Sequence, residues 1–155
     1  MTEPVSLERT MTHRLHTLSK LTDRVSQAAY VLDAGIPFSE GRCLAAIGAF
    51  SPLSVKDLAY RANLNKAQAS RAAQSLVDLG LVHKQASATD GRGVVLTLAA
   101  RGKPVWQRLM TVIERRNDEI VSCLSPAERA QLDHLLDRLV AHAREAAEVV
   151  GSLEE

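Results

Sequence analysis

The chain has 155 residues with 19 Lys+Arg against 18 Asp+Glu, a length and a near-neutral balance that suit one domain or compact protomer and exclude a large multidomain enzyme. Hydrophobic residues at 46% and charged residues at 24% are values of a chain that folds, which sets aside wholesale disorder and collagen-like repetition. Aromatic residues make up only 3%, too few for the cores of β-sandwiches and barrels, whereas the abundant Ala and Leu favour helices.

From Leu7 to Asp33, Met11, Leu15, Leu18, Leu21, Val25, Ala28, Ala29 and Leu32 recur in steps of three and four, which predicts one long amphipathic helix. Gly35 and Pro37 stop it. A second helix is expected from Ser39, carrying Leu44, Ala45, Ile47 and Gly48 up to Ser51-Pro52. Ser54 and Asp57 stand at capping-box spacing, so a short helix should run from Val55 to Ala62. The turn Asn63-Leu64 leads to Asn65, a good N-cap for a helix from Lys66 to Leu79 closed by Gly80. Its inner side reads Ala69, Ala72, Ala73, Leu76 and Leu79. Lys66, Gln68, Ser70, Arg71, Gln74 and Ser75 form a polar, nearly acid-free outer side. After Gly80 the period changes to two. Leu81–Gln85 and Val94–Leu98 are β-prone runs around the turn-rich segment Ala86–Gly93, which predicts a hairpin. Thr97 is a possible cap for a fifth helix from Ala99 to Cys123, with Val105, Leu109, Val112, Ile113, Ile120 and Cys123 inward. Ser125-Pro-Ala-Glu128 is a capping box with Pro at the first helical position. The last helix repeats Leu132, Leu136, Leu139, Ala143, Ala146 and Val150 in a coiled-coil-like seam.

Charge is segregated along this order. Residues 56–103 hold eight basic residues (Lys56, Arg61, Lys66, Arg71, Lys84, Arg92, Arg101, Lys103) against three acidic ones, whereas the remainder holds eleven against fifteen. A basic middle between acidic flanks fits a module that faces a polyanion. Two short helices joined by a tight turn and followed by a basic hairpin make a winged helix-turn-helix, in which the second helix can enter a DNA major groove and the hairpin can reach phosphate or minor groove. Lys66, Gln68, Ser70 and Arg71 stand where base edges would be reached, Asn65 opens the helix whose first amides can hold a phosphate, and Gln74 and Lys84 extend the polar surface. The expected class is therefore all-α with a small β-hairpin wing, one protomer over 1–155, with the DNA-binding region at 36–100 and dimerisation helices at 5–34 and 101–150.

These residues resemble the multiple-antibiotic-resistance regulator (MarR) family of bacterial transcription factors. The resemblance runs from about Ile36 to Ala143 and is strongest in Leu53–Ala59, Leu64–Arg71, Leu79–Val82 and Asp90–Leu98. Lys66, Ser70 and Arg71 match the family's recognition helix, and Asp90 and Arg92 match its wing-tip acid and arginine. The resemblance implies a homodimeric repressor bound to a pseudo-palindromic operator in double-stranded DNA, with each wing arginine in a minor groove. Ala67, Gln68 and Ala69 replace the commoner Ser, Thr and Val, so the operator sequence is expected to be this chain's own. The family also implies a small phenolic or aromatic carboxylate effector held between the dimerisation helices and the winged region. The candidates for holding it are His13 and His16, one turn apart, with Arg14 beside them, then Gly41, Arg42 and Trp106. Arg can grip a carboxylate through two hydrogen bonds and Trp can stack on a ring. Gly41 stands where many members have a bulky aromatic. Inside a helix glycine costs about 1 kcal/mol against Ala, which either a close helix approach or a space for a ligand would explain.

Other readings stay open at this level. His13, Arg14, His16 and Arg42 can be ordinary solvated side chains, and Trp106 can be core. His13 and His16 could join His134 and His142 around a metal. Cys43 could sense peroxide, although its apolar run disfavours a thiolate. Lying 80 positions apart, Cys43 and Cys123 form no zinc or disulfide framework and read as buried small hydrophobes. A redox- or metal-sensing regulator, or a helical adaptor for an acidic protein, is the alternative. Nothing in the sequence pairs a nucleophile with a base, cradles phosphate or requires a cofactor, so no enzyme is expected. No run of about 18 apolar residues suggests a membrane span, and Met1-Thr-Glu-Pro-Val lacks the basic and apolar regions of a leader. A bacterial cytoplasmic location, at the nucleoid when bound to DNA, is the expectation.

Overall fold

Six α-helices and one antiparallel hairpin account for the regular structure in a computed structural model that describes residues 3–87 and 93–153. In chain order they are α1 (Met11–Ala29), α2 (Phe38–Phe50), α3 (Val55–Ala62), α4 (Lys66–Asp78), β1 (Val82–Ala86), β2 (Val94–Leu98), α5 (Gly102–Ile120) and α6 (Pro126–Leu153). The chain divides into two compact units, Met1–Arg116 and Asn117–Glu155, with the division inside α5.

The expected first helix is three pieces. Leu7–Arg9 is a 3-10 turn, and Thr10 then caps α1 by accepting from the His13 N–H at 3.4 Å. At the far end Tyr30–Ala34 widens into a π-helical turn closed by Gly35 at φ 66°, whose N–H reaches back to the Tyr30 carbonyl. The left-handed conformation suits glycine, and the widened turn buries Tyr30 and Ala34 while Val31 and Leu32 stay outside. α2 begins at Phe38 with Pro37 at its N-cap, one residue ahead of the expected Ser39.

α2 is the centre of the first unit. Its Cys43, Leu44 and Ile47 are fully buried, and α3, α4 and β2 pack on it. α4 docks through Ala69, Ala72, Ala73 and Leu76, and the three alanines let the two helices come close. Leu79, expected inside, is the C-cap and is exposed, because the chain turns at Gly80 (φ 74°) and the Leu81 N–H returns to the Leu76 carbonyl at 3.0 Å. This is a Schellman-type closure.

β1 and β2 pair from Val82 opposite Leu98 to Ala86 opposite Val94. Leu53, just ahead of α3, adds a bridge to Leu96, with N–H···O distances of 3.2 and 2.7 Å, so the hairpin is tied back to the helix-turn-helix. β1 starts one residue later than expected. Thr97 lies within β2 opposite His83 and does not cap α5, which begins at Gly102 and not at Ala99. A Cβ at Gly102 would sit 2.1 Å from the Leu81 carbonyl oxygen, so this backbone approach delays the helix start. In α5 Leu109 and Val112 are buried and Val105, Trp106 and Ile113 partly so. Trp106 lies on α2: its Nε1 donates to the Ala45 carbonyl at 3.3 Å, and a Cβ at Gly48 would fall 2.1 Å from that nitrogen.

In the second unit the capping box is present in both directions. Ser125 N–H donates to Glu128 Oε1 at 2.9 Å and Glu128 N–H to Ser125 Oγ at 3.2 Å, and hydrogen bonding from the Ser125 backbone, then its side chain, lowers the pKa of the Glu128 carboxyl. α6 buries none of its residues. Leu136, Leu139 and Val150 of the expected seam are 42%, 50% and 56% exposed. Ile120 and Cys123, expected inside, are exposed as well.

Gly48→Ala should lower stability by about 1–3 kcal/mol, the usual range for overpacking. Urea unfolding followed by the fluorescence of Trp106, the single tryptophan, measures it, and an unchanged midpoint would show that the indole does not need a bare α2 backbone.

Candidate nucleic-acid interface and effector pocket

The helix-turn-helix is assembled from local hydrogen bonds. Ser54 Oγ accepts from the Asp57 N–H at 3.0 Å to start α3, and Leu58, Ala59 and Ala62 face the core. Asn63 takes the left-handed conformation at φ 53°, tolerated best by Gly, Asn and Asp, and the Leu64 N–H closes on the Ala59 carbonyl at 3.0 Å. Asn65 Oδ1 accepts from the Gln68 N–H at 2.8 Å while Gln68 Oε1 accepts from the Asn65 N–H at 3.2 Å. Two candidate DNA-contacting residues therefore spend their oxygens on the start of α4. Lys66, Ser70 and Arg71 stand exposed on its outer face, and the first turn contains no acid. Gln74, also exposed, donates to Asp78 Oδ1 at 2.9 Å. Lys84 is exposed on β1. Asp90 and Arg92 lie outside the described residues.

A cleft of about 460 Å³ opens along the opposite edge of α2. Ala45, Ala46 and Ala49 form its floor, Tyr30, Phe50, Met110 and Ile113 its apolar walls, and Arg42, Arg61, Ala62 and Asn63 its side toward the helix-turn-helix. Arg42 Nη2 donates to the Asn63 carbonyl at 3.1 Å, and its guanidinium lies 5.6 Å from the Phe38 ring centre. The Arg61 guanidinium is 4.4 Å from the Phe50 ring and 6.0 Å from that of Tyr60. No carboxylate lines the cleft. Burial raises the Tyr30 hydroxyl pKa, against the lowering influence of Arg42, so the hydroxyl stays protonated at neutral pH. Two cations beside aromatic and aliphatic walls suit a flat organic anion, whose carboxylate can accept from guanidinium N–H groups while its ring stacks.

Among the residues expected to hold such a ligand, only Arg42 lines this cleft. The place in front of Gly41 is occupied: a Cβ there would be 2.5 Å from the Tyr30 ring. Close approach, and not space for a ligand, explains this glycine. Trp106 is held against Ala45 and Gly48 and is not among the lining side chains. His13, Arg14 and His16 are exposed along α1, away from the cleft lining, with His13 Nδ1 3.5 Å from Thr17 Oγ1. Tyr30, Phe50, Arg61, Met110 and Ile113 were not singled out from the sequence. The signal was in the aromatic residues: four of the five, Tyr30, Phe38, Phe50 and Tyr60, gather around Arg42 and Arg61.

The sensor alternatives gain nothing from the geometry. Among the described residues no group of three or more His, Cys, Asp or Glu side chains is placed to hold a metal ion. Cys43 is fully buried, and burial pushes its thiol up to about 11, which leaves little of the thiolate that oxidation requires. Cys123 is exposed, contrary to the reading of both cysteines as core. Among the described residues no helix is long and apolar enough to cross a membrane.

Residues 34–93 match the MarR family. The HTH-type transcriptional repressor Rv2887 of Mycobacterium tuberculosis is 25% identical over 116 residues, 75% of this chain and 84% of that protein. The HTH-type transcriptional regulator BilQ of Clostridium symbiosum is 26% identical over 93 residues, 60% of this chain and 65% of that one. Among solved structures, Bordetella bronchiseptica BpsR, described for the regulation of its DNA binding by 6-hydroxynicotinic acid, superposes with a TM-score of 0.79 at 19% identity, over 89% of this chain and 98% of that chain. Rv2887 in complex with salicylic acid gives 0.71 at 24% identity, over 87% and 99%. These likenesses establish the winged helix-turn-helix fold. Through the match at 34–93 and the curated relatives, this chain is similar to transcriptional regulators of the MarR family.

Proposed function

We propose that the protein is a homodimeric repressor that binds a pseudo-palindromic operator and is released by a small aromatic carboxylate seated between Arg42 and Arg61. The observation that carries this reading is a cleft with two guanidiniums, aromatic walls and no acid, directly against the turn of the helix-turn-helix. That salicylic and 6-hydroxynicotinic acids accompany similar folds supports the choice of ligand class, and the relative's designation as a repressor supports the sign. Lys66, Ser70 and Arg71 of α4 meet the major groove, and Asp90 and Arg92 supply the wing tip. Repression of this kind acts at the nucleoid in the cytoplasm and needs no enzymatic step.

The second copy is called for by uncovered apolar side chains. Met11, Leu15, Leu18, Leu21 and Val25 run exposed along α1, and Leu136, Leu139, Val140, Val149 and Val150 along α6. Stripes of this length are a cost in water unless another surface covers them. The ligand can weaken operator binding only through a difference in its affinity for the free and the DNA-bound protein, and the operator must then weaken ligand binding by the same factor.

Three outcomes test the reading. Arg71→Ala, or Arg92→Ala in the wing, should weaken operator binding and flatten its salt dependence by about one unit per lost phosphate contact. Unchanged affinity and slope in a gel-shift titration would remove that residue from the interface. Leu139→Asp should convert a dimer into monomeric or unfolded protein without operator affinity. A monodisperse wild-type monomer in sedimentation would contradict the dimer. Calorimetry with salicylate, benzoate and 6-hydroxynicotinate should show binding to the free protein that is weakened about 5- to 150-fold in the operator complex. Equal affinity in the two states, or no binding at all, would sink the effector assignment.

A further inference from the structure

We infer that Arg42 is the residue that couples the cleft to operator binding: one guanidinium serves either the Asn63 carbonyl or a bound carboxylate. The inference rests on the cleft being an acid site and adds how its occupancy reaches DNA. Arg42 belongs to α2, yet its bond to the Asn63 carbonyl spans 21 positions and ends in the turn between α3 and α4. Asn63 is the single non-glycine residue at positive φ among the described residues. It is held locally by its own N–H to the Tyr60 carbonyl at 3.3 Å and by the neighbouring Leu64 N–H to Ala59. The carbonyl between these donors has Arg42 as its tether to α2. Two residues on, Asn65 caps α4, so the position of this peptide sets where Lys66, Ser70 and Arg71 begin.

The competition follows from donor chemistry. A carboxylate is charged and accepts two parallel guanidinium bonds, whereas the Asn63 carbonyl is neutral and accepts one from Nη2. Arg61, in the same cleft, is oriented by Phe50 and Tyr60 and makes no such bond to the turn. It can hold the acid without transmitting its arrival. An acid that draws the Arg42 fork into the cleft therefore releases the turn and shifts the start of the recognition helix. Arg42 is a positioning residue for DNA binding as well as a ligand contact, and Arg61 is a ligand contact alone.

The test uses full-length Arg42→Met and Arg61→Met proteins and an operator duplex selected from a random pool by the wild type, with saturating salicylate as probe. Without salicylate, Arg42→Met should bind operator about fivefold or more weakly than wild type, and salicylate should then weaken it no further. Arg61→Met should need more salicylate yet reach the full wild-type weakening once saturated. Wild-type operator affinity in Arg42→Met, or full weakening of that variant by salicylate, overturns the coupling. If none of the acids binds the wild type, the effector assignment falls, and the salicylate-free comparison still decides whether Arg42 holds the turn. Should Arg42→Met not melt cooperatively, Arg42→Lys carries the test. Its ammonium keeps the charge without the fork, so less than half of the wild-type weakening is expected and undiminished weakening overturns the inference.

Discussion

Burial of Cys43, Leu44 and Ile47 on α2 fixes the positions of the helix-turn-helix and the hairpin strands in the first unit. These three side chains are without solvent exposure, and α3, α4 and β2 all pack against the helix that carries them. Fully burying a Leu or Ile is worth about 1.5–3 kcal/mol, so the recognition helix has no independent place of its own. Its four buried residues are three alanines and one leucine, enough to dock on α2 but not to form a core alone. The hairpin depends on the same interior through Leu96 and the Leu53 bridge.

Along its other edge α2 presents Ala45, Ala46 and Ala49. Larger side chains there would fill the cleft that small ones leave between α2, Tyr30, Phe50 and α5. One helix thus supplies a dry face to the helix-turn-helix and hairpin and an open face to the cleft. Tyr30 contributes to both, because the π-helical turn buries its ring against Gly41 while the residue still lines the cleft. The close contact at Gly41 explains why that position tolerates no bulky side chain unless Tyr30 moves.

Much of this was legible in the sequence because the signals were local. Ser54, Asn65 and Ser125 cap the helices that their spacing predicts, and Val94–Leu98 is the strand that its period predicts. Boundaries failed where a distant contact decides them. The backbone approach of Gly102 to Leu81 delays α5, and Gly35 with the widened turn at Tyr30 ends α1 early. The exposed face of α4 was readable as well, though not that Asn65 and Gln68 are bonded to each other's backbone. The cleft beside α2 was the least legible part. Arg42 was found, but Arg61, Phe50 and Met110 come from three helices and meet only after folding, while His13 and His16 attracted notice by chemistry alone.

On the proposed coupling, an acid bound beside α2 is felt at the start of α4. Amide hydrogen exchange, which reads local opening segment by segment, tests it on the wild-type protein without a substitution. With saturating salicylate, the amides of Asn63 and Leu64, bonded to the Tyr60 and Ala59 carbonyls, should exchange faster, while those around Leu44 and Ile47 in α2 keep their protection. Salicylate bound in the cleft with no change in exchange across residues 60–68 would contradict it.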